Sequence, residues 1–313
     1  MMDGEATDPF REDVLHGLSR KQKSIPSRWL YDARGSSLFD DITELDEYYP
    51  TRTELAILKA NASDMASVIG ADGVIVEYGA GSLLKVRILL DALTAPGAFV
   101  PVDISAEHLE AASGELKADY PDLPVVPIVS DFMASNLGSQ LPETGGRRAG
   151  FFPGSTVGNL HDAEIDRFLK TTRSDLGDGS CFIIGLDQPK STDVLLKAYD
   201  DAQGVTAAFN LNLLRRINRE LGGNFDLDSF EHEARWNEGE SQIEMHLKSL
   251  RPQTAAVNGQ TFDFQSGETI HTENSRKIPL ETFSGMARDA GWTMTRNWTD
   301  KDNLFAVLLL EAA

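Results

Sequence analysis

Two glycines, two aspartates at the ends of apolar runs, and an asparagine in a glycine-rich loop carry the strongest chemical signal in this 313-residue sequence. Val76-Glu77-Tyr78-Gly79-Ala80-Gly81 closes an apolar run in Gly-x-Gly and opens onto a helical pattern. Glycines at such a turn let the backbone approach a ligand closely. Alone the spacing is weak, because an ordinary βα turn uses the same residues. Asp103 ends the next apolar run, at the separation of about 20 residues where an acid meets ribose hydroxyls. Asp131-Phe132 ends the third, where a carboxylate suits an adenine amino group and an aromatic ring suits stacking. Each aspartate taken singly reads as a turn or helix-cap residue; together, at successive strand ends, they favour an adenosine ligand.

A fourth apolar run leads into Phe151-Phe152-Pro153-Gly154-Ser155-Thr156-Val157-Gly158-Asn159. Ligands of open α/β sheets lie outside the carboxyl ends of the strands, so this loop is expected to face both cofactor and acceptor. Asn159 offers two donors and an acceptor, suited to holding an amine and a carboxylate together. The alternative is that it caps the helix beginning near His161. Gly154-Ser155-Thr156-Val157-Gly158 lacks the Gly-x-Ser-x-Gly spacing of a nucleophile elbow, which argues against a hydrolase. His16, His108, His161, His232, His246 and His271 show no close ligand pairing, so no metal site is expected and they read as surface or supporting residues. Gly81 is followed by Ser82-Leu83-Leu84-Lys85 without the third glycine of a dinucleotide fingerprint. S-adenosylmethionine is therefore the adenosine cofactor expected.

These residues need a parallel sheet to hold them. Short apolar runs at 74–78, 98–102, 125–129, 149–152 and 181–186 alternate with helical patterns at 83–95, 106–120 and 162–174, the rhythm of βαβ units. Ser105 is a plausible N-cap for the second of these helices, and Thr51 for a helix over 52–69 that precedes the first strand. Upstream, 12–49 is irregularly helical, with a short amphipathic helix at 36–45. Residues 190–277 break the rhythm, with helical patterns at 192–201, 205–221 and 229–235 and strand-like runs at 242–250 and 261–264. A helix at 280–290 and two strands at 292–298 and 304–310 then close the chain. By fold analogy, a terminal strand pair after a helix suggests the reversed last strand of methyltransferase sheets.

Composition sets the outer limits. Forty-one per cent hydrophobic and 25% charged residues belong to a chain with a packed core, and its length suits two unequal lobes. A formal charge of −20 repels nucleic-acid phosphates and anionic lipid headgroups, so neither nucleic acid nor membrane is an expected partner. The pairs Arg147-Arg148 and Arg215-Arg216 read as solvated faces. Cys181, the single cysteine, reads as a buried strand residue and rules out an intrachain disulfide. Residues 1–11 are acidic, unlike a signal peptide, and no run of about 18 apolar residues is available to span a bilayer. The cytoplasm is the expected compartment.

A resemblance extends over nearly the whole chain. Tyr31-Asp32, Glu47-Tyr48-Tyr49-Pro50-Thr51-Arg52-Thr53-Glu54, the Gly-Ser-Thr-x-Gly-Asn loop, Tyr199-Asp200-Asp201, 204–210 and Ile243-Glu244-Met245 resemble the histidine-specific Nα-methyltransferases of ergothioneine biosynthesis. The resemblance implies an α/β fold: a class I methyltransferase, Rossmann-like sheet with a reversed terminal strand over 52–189 and 278–313. It also implies an α+β substrate-binding domain from 1–51 and 190–277. Implied cofactor contacts are Tyr31, Gly79, Lys85, Asp103, Asp131 and Phe132. Tyr48, Asn159 and Tyr199 are implied as the catalytic set holding the amino-acid head group of L-histidine, with Gly154, Thr156 and Met245 also on the substrate. Glu273 and Ser275 are implied to grip the imidazole, although by composition alone Glu273 reads as an exposed loop residue. Ala80 and Val86 depart from the serine and threonine common in the family, both on the cofactor side. No metal and no macromolecular partner are implied, and a monomer is expected.

Overall fold

A computed structural model describes residues 8–133 and 137–312, except for the side chain of His108. Of the acidic opening, 1–7 therefore lie outside the described residues. The chain folds as two units, one formed by the chain up to Tyr48 with Ser191–Ser275, the other by Tyr49–Lys190 with the chain from Arg276 onward.

In chain order, the first unit begins with α1 (Pro9–Leu18), β1 (Lys23–Ser24) and α2 (Ala33–Thr43). The second follows with α3 (Tyr49–Ile69), β2 (Val74–Tyr78), α4 (Leu84–Ala92), β3 (Ala98–Asp103), α5 (Ala106–Asp119), β4 (Ile128–Val129), β5 (Arg148–Phe152), α6 (Asp162–Leu176) and β6 (Cys181–Asp187). The first unit resumes with α7 (Thr192–Tyr199), α8 (Val205–Glu220), β7 (Phe230–Asn237), β8 (Gln242–Ser249), β9 (Gln253–Val257), β10 (Gln260–Phe264) and β11 (Thr269–Arg276). The chain closes in the second unit with α9 (Leu280–Asp289), β12 (Trp292–Thr299) and β13 (Phe305–Ala312).

Among the described residues, the second unit's sheet has seven strands in the order β12-β13-β6-β5-β2-β3-β4. Strands β4, β3, β2, β5 and β6 run parallel, and β13 is antiparallel to both β6 and β12. Every residue of β2 and β6 is buried, as expected where helices cover both faces of a parallel sheet. Val74, Val76 and Tyr78 pack into one apolar cluster with α6 and α9, while Ile75 packs into the other with α3, α4 and α5. That alternation is the period of two expected of a strand.

In the first unit, β1-β11-β8-β7 form one sheet and β10-β9 a hairpin. The 229–235 segment is a strand and not the expected helix. Strand β7 pairs with β8 in an unbroken register from Phe230↔Ser249 to Asn237↔Gln242. Lys248 on β8 meets both Glu231 and Glu233, so the charges at alternate positions serve cross-strand pairs. Thr51 is not a cap, because α3 begins at Tyr49 with Pro50 in its first turn, where a missing N–H costs nothing. The 125–129 run is a strand only at Ile128–Val129, with a single bridge from Val125 to Phe99, because Pro124 and Pro127 interrupt the ladder.

The arginine pairs are not simply solvated. Arg147 binds Glu311 at 2.6 Å and the carbonyls of Gly179 and Val68, and Arg216 bonds the Trp29 carbonyl while lying over the Phe10 ring. Cys181 is buried, and burial pushes its thiol up to about 12.

Candidate active site

Within the second unit, the ligand-facing residues expected from sequence follow the carboxyl ends of β2, β3, β4 and β5. Gly79 follows β2 with φ +70°, a left-handed conformation natural to glycine, and a Cβ there would sit 3.5 Å from the Phe132 ring. Phe132 lies edge-on to Phe152 and Phe168, at 5.4 and 5.6 Å between centroids, so its ring is held in place by the core. Asp103 accepts from the Ser105 N–H at 2.8 Å, and Asp131 from the Met133 N–H at 2.8 Å. Both aspartates thus shape their own turns, and a carboxylate has acceptor positions enough to serve a turn and a ligand together.

Three buried carboxylates that sequence reasoning did not single out organise this end of the sheet. Glu54 of α3 is paired with Lys85 at 2.6 Å, and both its oxygens accept from the Gly154 N–H at 2.9 Å. One side chain therefore ties the glycine loop's lysine to the start of the 153–159 loop. Glu77, on β2 just before Gly79, is buried with Oε2 lacking a hydrogen-bond partner among the described residues. Burial pushes its carboxyl up to about 8, against the pull of Lys85. An orphaned buried oxygen beside a glycine turn suits a cationic group on a ligand. Asp187, at the end of β6, accepts from the Tyr49 hydroxyl and is paired with Lys190 and Lys277. Burial pushes the Asp187 carboxyl up, but Lys277 and Lys190 outweigh it and hold the group below the usual carboxylate range.

The 153–159 loop itself is tightly wound. Gly154 and Ser155 are both left-handed, at φ +81° and +56°. The Thr156 hydroxyl donates to the Pro153 carbonyl at 2.9 Å, and Gly158 donates to the Ser155 carbonyl. A Cβ on Gly158 would come within 2.8 Å of the Arg276 carbonyl, so only glycine fits there. Asn159 ends a short 3-10 turn, and His161 rather than Asn159 occupies the N-cap position of α6, its N–H bonded to Glu164. The capping alternative for Asn159 is thereby removed.

Within the first unit, a second cluster forms. Tyr199 and Ser275 share a hydrogen bond of 2.6 Å between their hydroxyls, and the Tyr48 ring stands edge-on to Tyr199 at 6.0 Å. The Tyr31 hydroxyl donates to Glu273 Oε1 at 3.3 Å, with its ring packed against Phe39 and Phe209. Burial foremost, and then Glu273, push the Tyr31 hydroxyl well above its ordinary value, so it stays a donor. Tyr31, expected with the cofactor, is thus bonded to the carboxylate expected to select the heterocycle. Glu273 is 9% exposed and lies on β11, not in the exposed loop that composition suggested. Met245 is buried on β8, and its carbonyl accepts from Thr272, the neighbour of Glu273.

Supporting residues complete the cluster. His232 has Nδ1 facing the Asn210 amide nitrogen, so Nε2 carries the proton and donates to the Tyr199 carbonyl at 2.8 Å. Burial lowers its basicity, which favours this neutral form. His246 is buried and stacks on the half-buried His271 at 4.9 Å, so His246 is a packed residue and not a surface one. Among the described residues, no group of His, Cys, Asp and Glu is arranged to hold a metal ion, and no helix is long and apolar enough to cross a membrane.

A seven-stranded sheet of this order with β13 alone reversed defines a class I, S-adenosylmethionine-dependent methyltransferase fold. It is shared with the CcbJ methyltransferase from Streptomyces caelestis, at 16% identity and TM-score 0.51 over 90% of this chain and 100% of that one. An S-adenosylmethionine-dependent methyltransferase from Clostridium acetobutylicum is similar at 12% identity and TM-score 0.50, over 88% and 98%. The family described as histidine-specific, SAM-dependent methyltransferase matches residues 10–312, and this chain belongs to it. Relatives named histidine N-alpha-methyltransferase, from Mycolicibacterium smegmatis and Mycobacterium tuberculosis, are 42% and 41% identical, over 97% and 96% of this chain and 95% and 94% of their own. An ergothioneine biosynthesis protein 1 from Schizosaccharomyces pombe is 28% identical over 85% of this chain and 36% of its own.

Proposed function

We propose that this chain transfers methyl groups from S-adenosylmethionine to the α-amino group of L-histidine, three in succession, giving the Nα-trimethyl betaine as a step of ergothioneine biosynthesis. The observation that carries the reading is the Glu273 cluster: a buried carboxylate bonded to the Tyr31 hydroxyl, on the strand that also bears Ser275 and its bond to Tyr199, in a chain of a histidine-specific family. A carboxylate accepting from an imidazole N–H makes a charge-assisted bond that an apolar side chain cannot answer, which is the basis of a selective pocket. Its bond to Glu273 leads us to place Tyr31 on the acceptor side and not with the cofactor. Tyr48, Tyr199 and Asn159 hold the amino-acid head group, with Gly154, Thr156 and Met245 shaping its surroundings. Gly79, Lys85, Asp103, Asp131 and Phe132 hold the cofactor, with Glu77 facing its ammonium.

The sulfonium, when bound, supplies an activated methyl. In each turn the S–CH3 bond breaks as the N–CH3 bond forms, one proton leaves the nitrogen, and S-adenosylhomocysteine departs. The protein's part is to keep the amine neutral, in line and out of water, which positioning can supply without a nucleophile. We infer further a monomeric, cytoplasmic enzyme whose partner is the small-molecule acceptor. Incubation with S-adenosylmethionine and each of the twenty amino acids, followed by product masses, tests the reading. Mono-, di- and trimethylated histidine are expected, and methylation of another amino acid with none of histidine would overturn it.

A further inference from the structure

The chain passes between its units at Tyr48/Tyr49, Lys190/Ser191 and Ser275/Arg276. Beside each passage the second unit sends one side chain to the same buried carboxylate. The Tyr49 hydroxyl donates to Asp187 at 2.7 Å, Lys190 is ion-paired with it, and Lys277 Nζ lies 2.7 Å from it. The side chains of Asp187 and Lys277 are 1% and 0% exposed. Lys190 also donates to the Tyr49 hydroxyl and the Gln188 carbonyl at 2.6 Å each, so its three protons are all engaged within the cluster. The Asp187 backbone N–H donates to Ser155 Oγ at 2.9 Å, inside the loop that bears Gly154, Thr156 and Asn159.

Stability alone does not explain such a cluster, since burying each ion costs several kcal/mol and apolar replacements often do as well. Its location supplies a reason. Tyr48 immediately precedes Tyr49, Glu273 and Ser275 shortly precede Lys277, and the helix ending in Tyr199 starts just after Lys190. We propose that Asp187 is a positioning residue for the acceptor amino acid: it fixes the end of the segment that bears Tyr48, the end of the segment that bears Glu273 and Ser275 and the start of the segment that bears Tyr199, and it pins the Ser155 loop. It touches neither substrate and acts only through those segments.

This inference rests on the acceptor reading above, and its test keeps the two apart. Asp187→Asn keeps size and an acceptor for Tyr49 but removes the charge. Measured beside wild type, it should raise KM for histidine about tenfold or more while leaving the dissociation constant for S-adenosylmethionine within about twofold. Lys190→Met, which leaves the Asp187–Lys277 pair intact, should shift KM in the same direction by less. Amide exchange should quicken at 153–159 and 273–277 in Asp187→Asn and stay unchanged at 74–78. Equal loss of cofactor and acceptor binding, or unchanged KM with unchanged exchange, would overturn the proposal. Should wild type fail to methylate histidine, the function reading fails, while the exchange pattern still decides the role of Asp187.

Discussion

Glutamine in place of Glu54 separates a designed joint from an incidental contact. Both oxygens of the 1%-exposed carboxylate lie 2.9 Å from the Gly154 nitrogen, and Oε2 lies 2.6 Å from Lys85, whose side chain is 18% exposed. Glutamine has a single oxygen, so its NH2 faces the Gly154 N–H whichever way it is turned, donor against donor, and in one orientation the Lys85 ammonium as well. Breaking a buried pair costs about 3–5 kcal/mol, and the part-exposure of Lys85 reduces the expected loss to about 2–3 kcal/mol. Urea unfolding followed by tryptophan fluorescence measures it. Gly185 supplies an internal check, because a Cβ there would fall inside contact distance of Glu54 Oε1. Gly185→Ala alone should cost about 1–3 kcal/mol through overpacking, and the combination with Glu54→Ala should recover about 1 kcal/mol relative to the sum of the single changes. A loss below about 0.5 kcal/mol for Glu54→Gln, or strict additivity with Gly185→Ala, would refute the reasoning.

Two other outcomes follow from the second unit. Because burial holds the Glu77 carboxyl at about 8, the folded state keeps a proton between its ordinary value of 4.5 and that point which the unfolded state has lost. Stability therefore falls as pH rises through this window, by an amount on the order of 5 kcal/mol. Glu77→Gln lacks this dependence, so the ligand-free variant should gain on wild type at pH 9 relative to pH 5 in urea titrations; an equal difference at both would contradict it. Asp103→Ala should weaken S-adenosylmethionine binding about 10- to 100-fold by calorimetry with little change in KM for histidine, as loss of a charged hydrogen-bond acceptor requires. Unchanged cofactor affinity would remove Asp103 from the ribose site.

The sheet was legible because its strands are continuous apolar runs; β2 and β6 are buried at every position, and no helix reading competes over such short lengths. The reversed β13 was legible from the tight hairpin that precedes it. The first unit was less so. Glu231, Glu233 and Arg235 alternate as on one face of a strand, but the period is carried by charges and not by apolar residues, and pairing with β8 is what makes it a strand. Strand β11 reads Thr-Ile-His-Thr-Glu-Asn-Ser-Arg and shows almost no apolar period, since Thr272, Glu273, Asn274 and Ser275 are polar and yet buried. Its Glu273 and Ser275 were reached through family resemblance alone. Asp187 and Glu54 carried no local signal, because the fold alone brings Tyr49 and Lys277 to the one and Lys85 and Gly154 to the other, and Glu77 is marked only by its burial.

The central claim is that Glu273 selects the imidazole of histidine. Steady-state kinetics of Glu273→Gln with histidine, beside its S-adenosylmethionine dissociation constant, test this most directly. Loss of one charge-assisted bond predicts kcat/KM lower by about 10- to 100-fold with cofactor affinity unchanged. Wild-type kcat/KM in the variant, or an equal loss of cofactor binding, would contradict it.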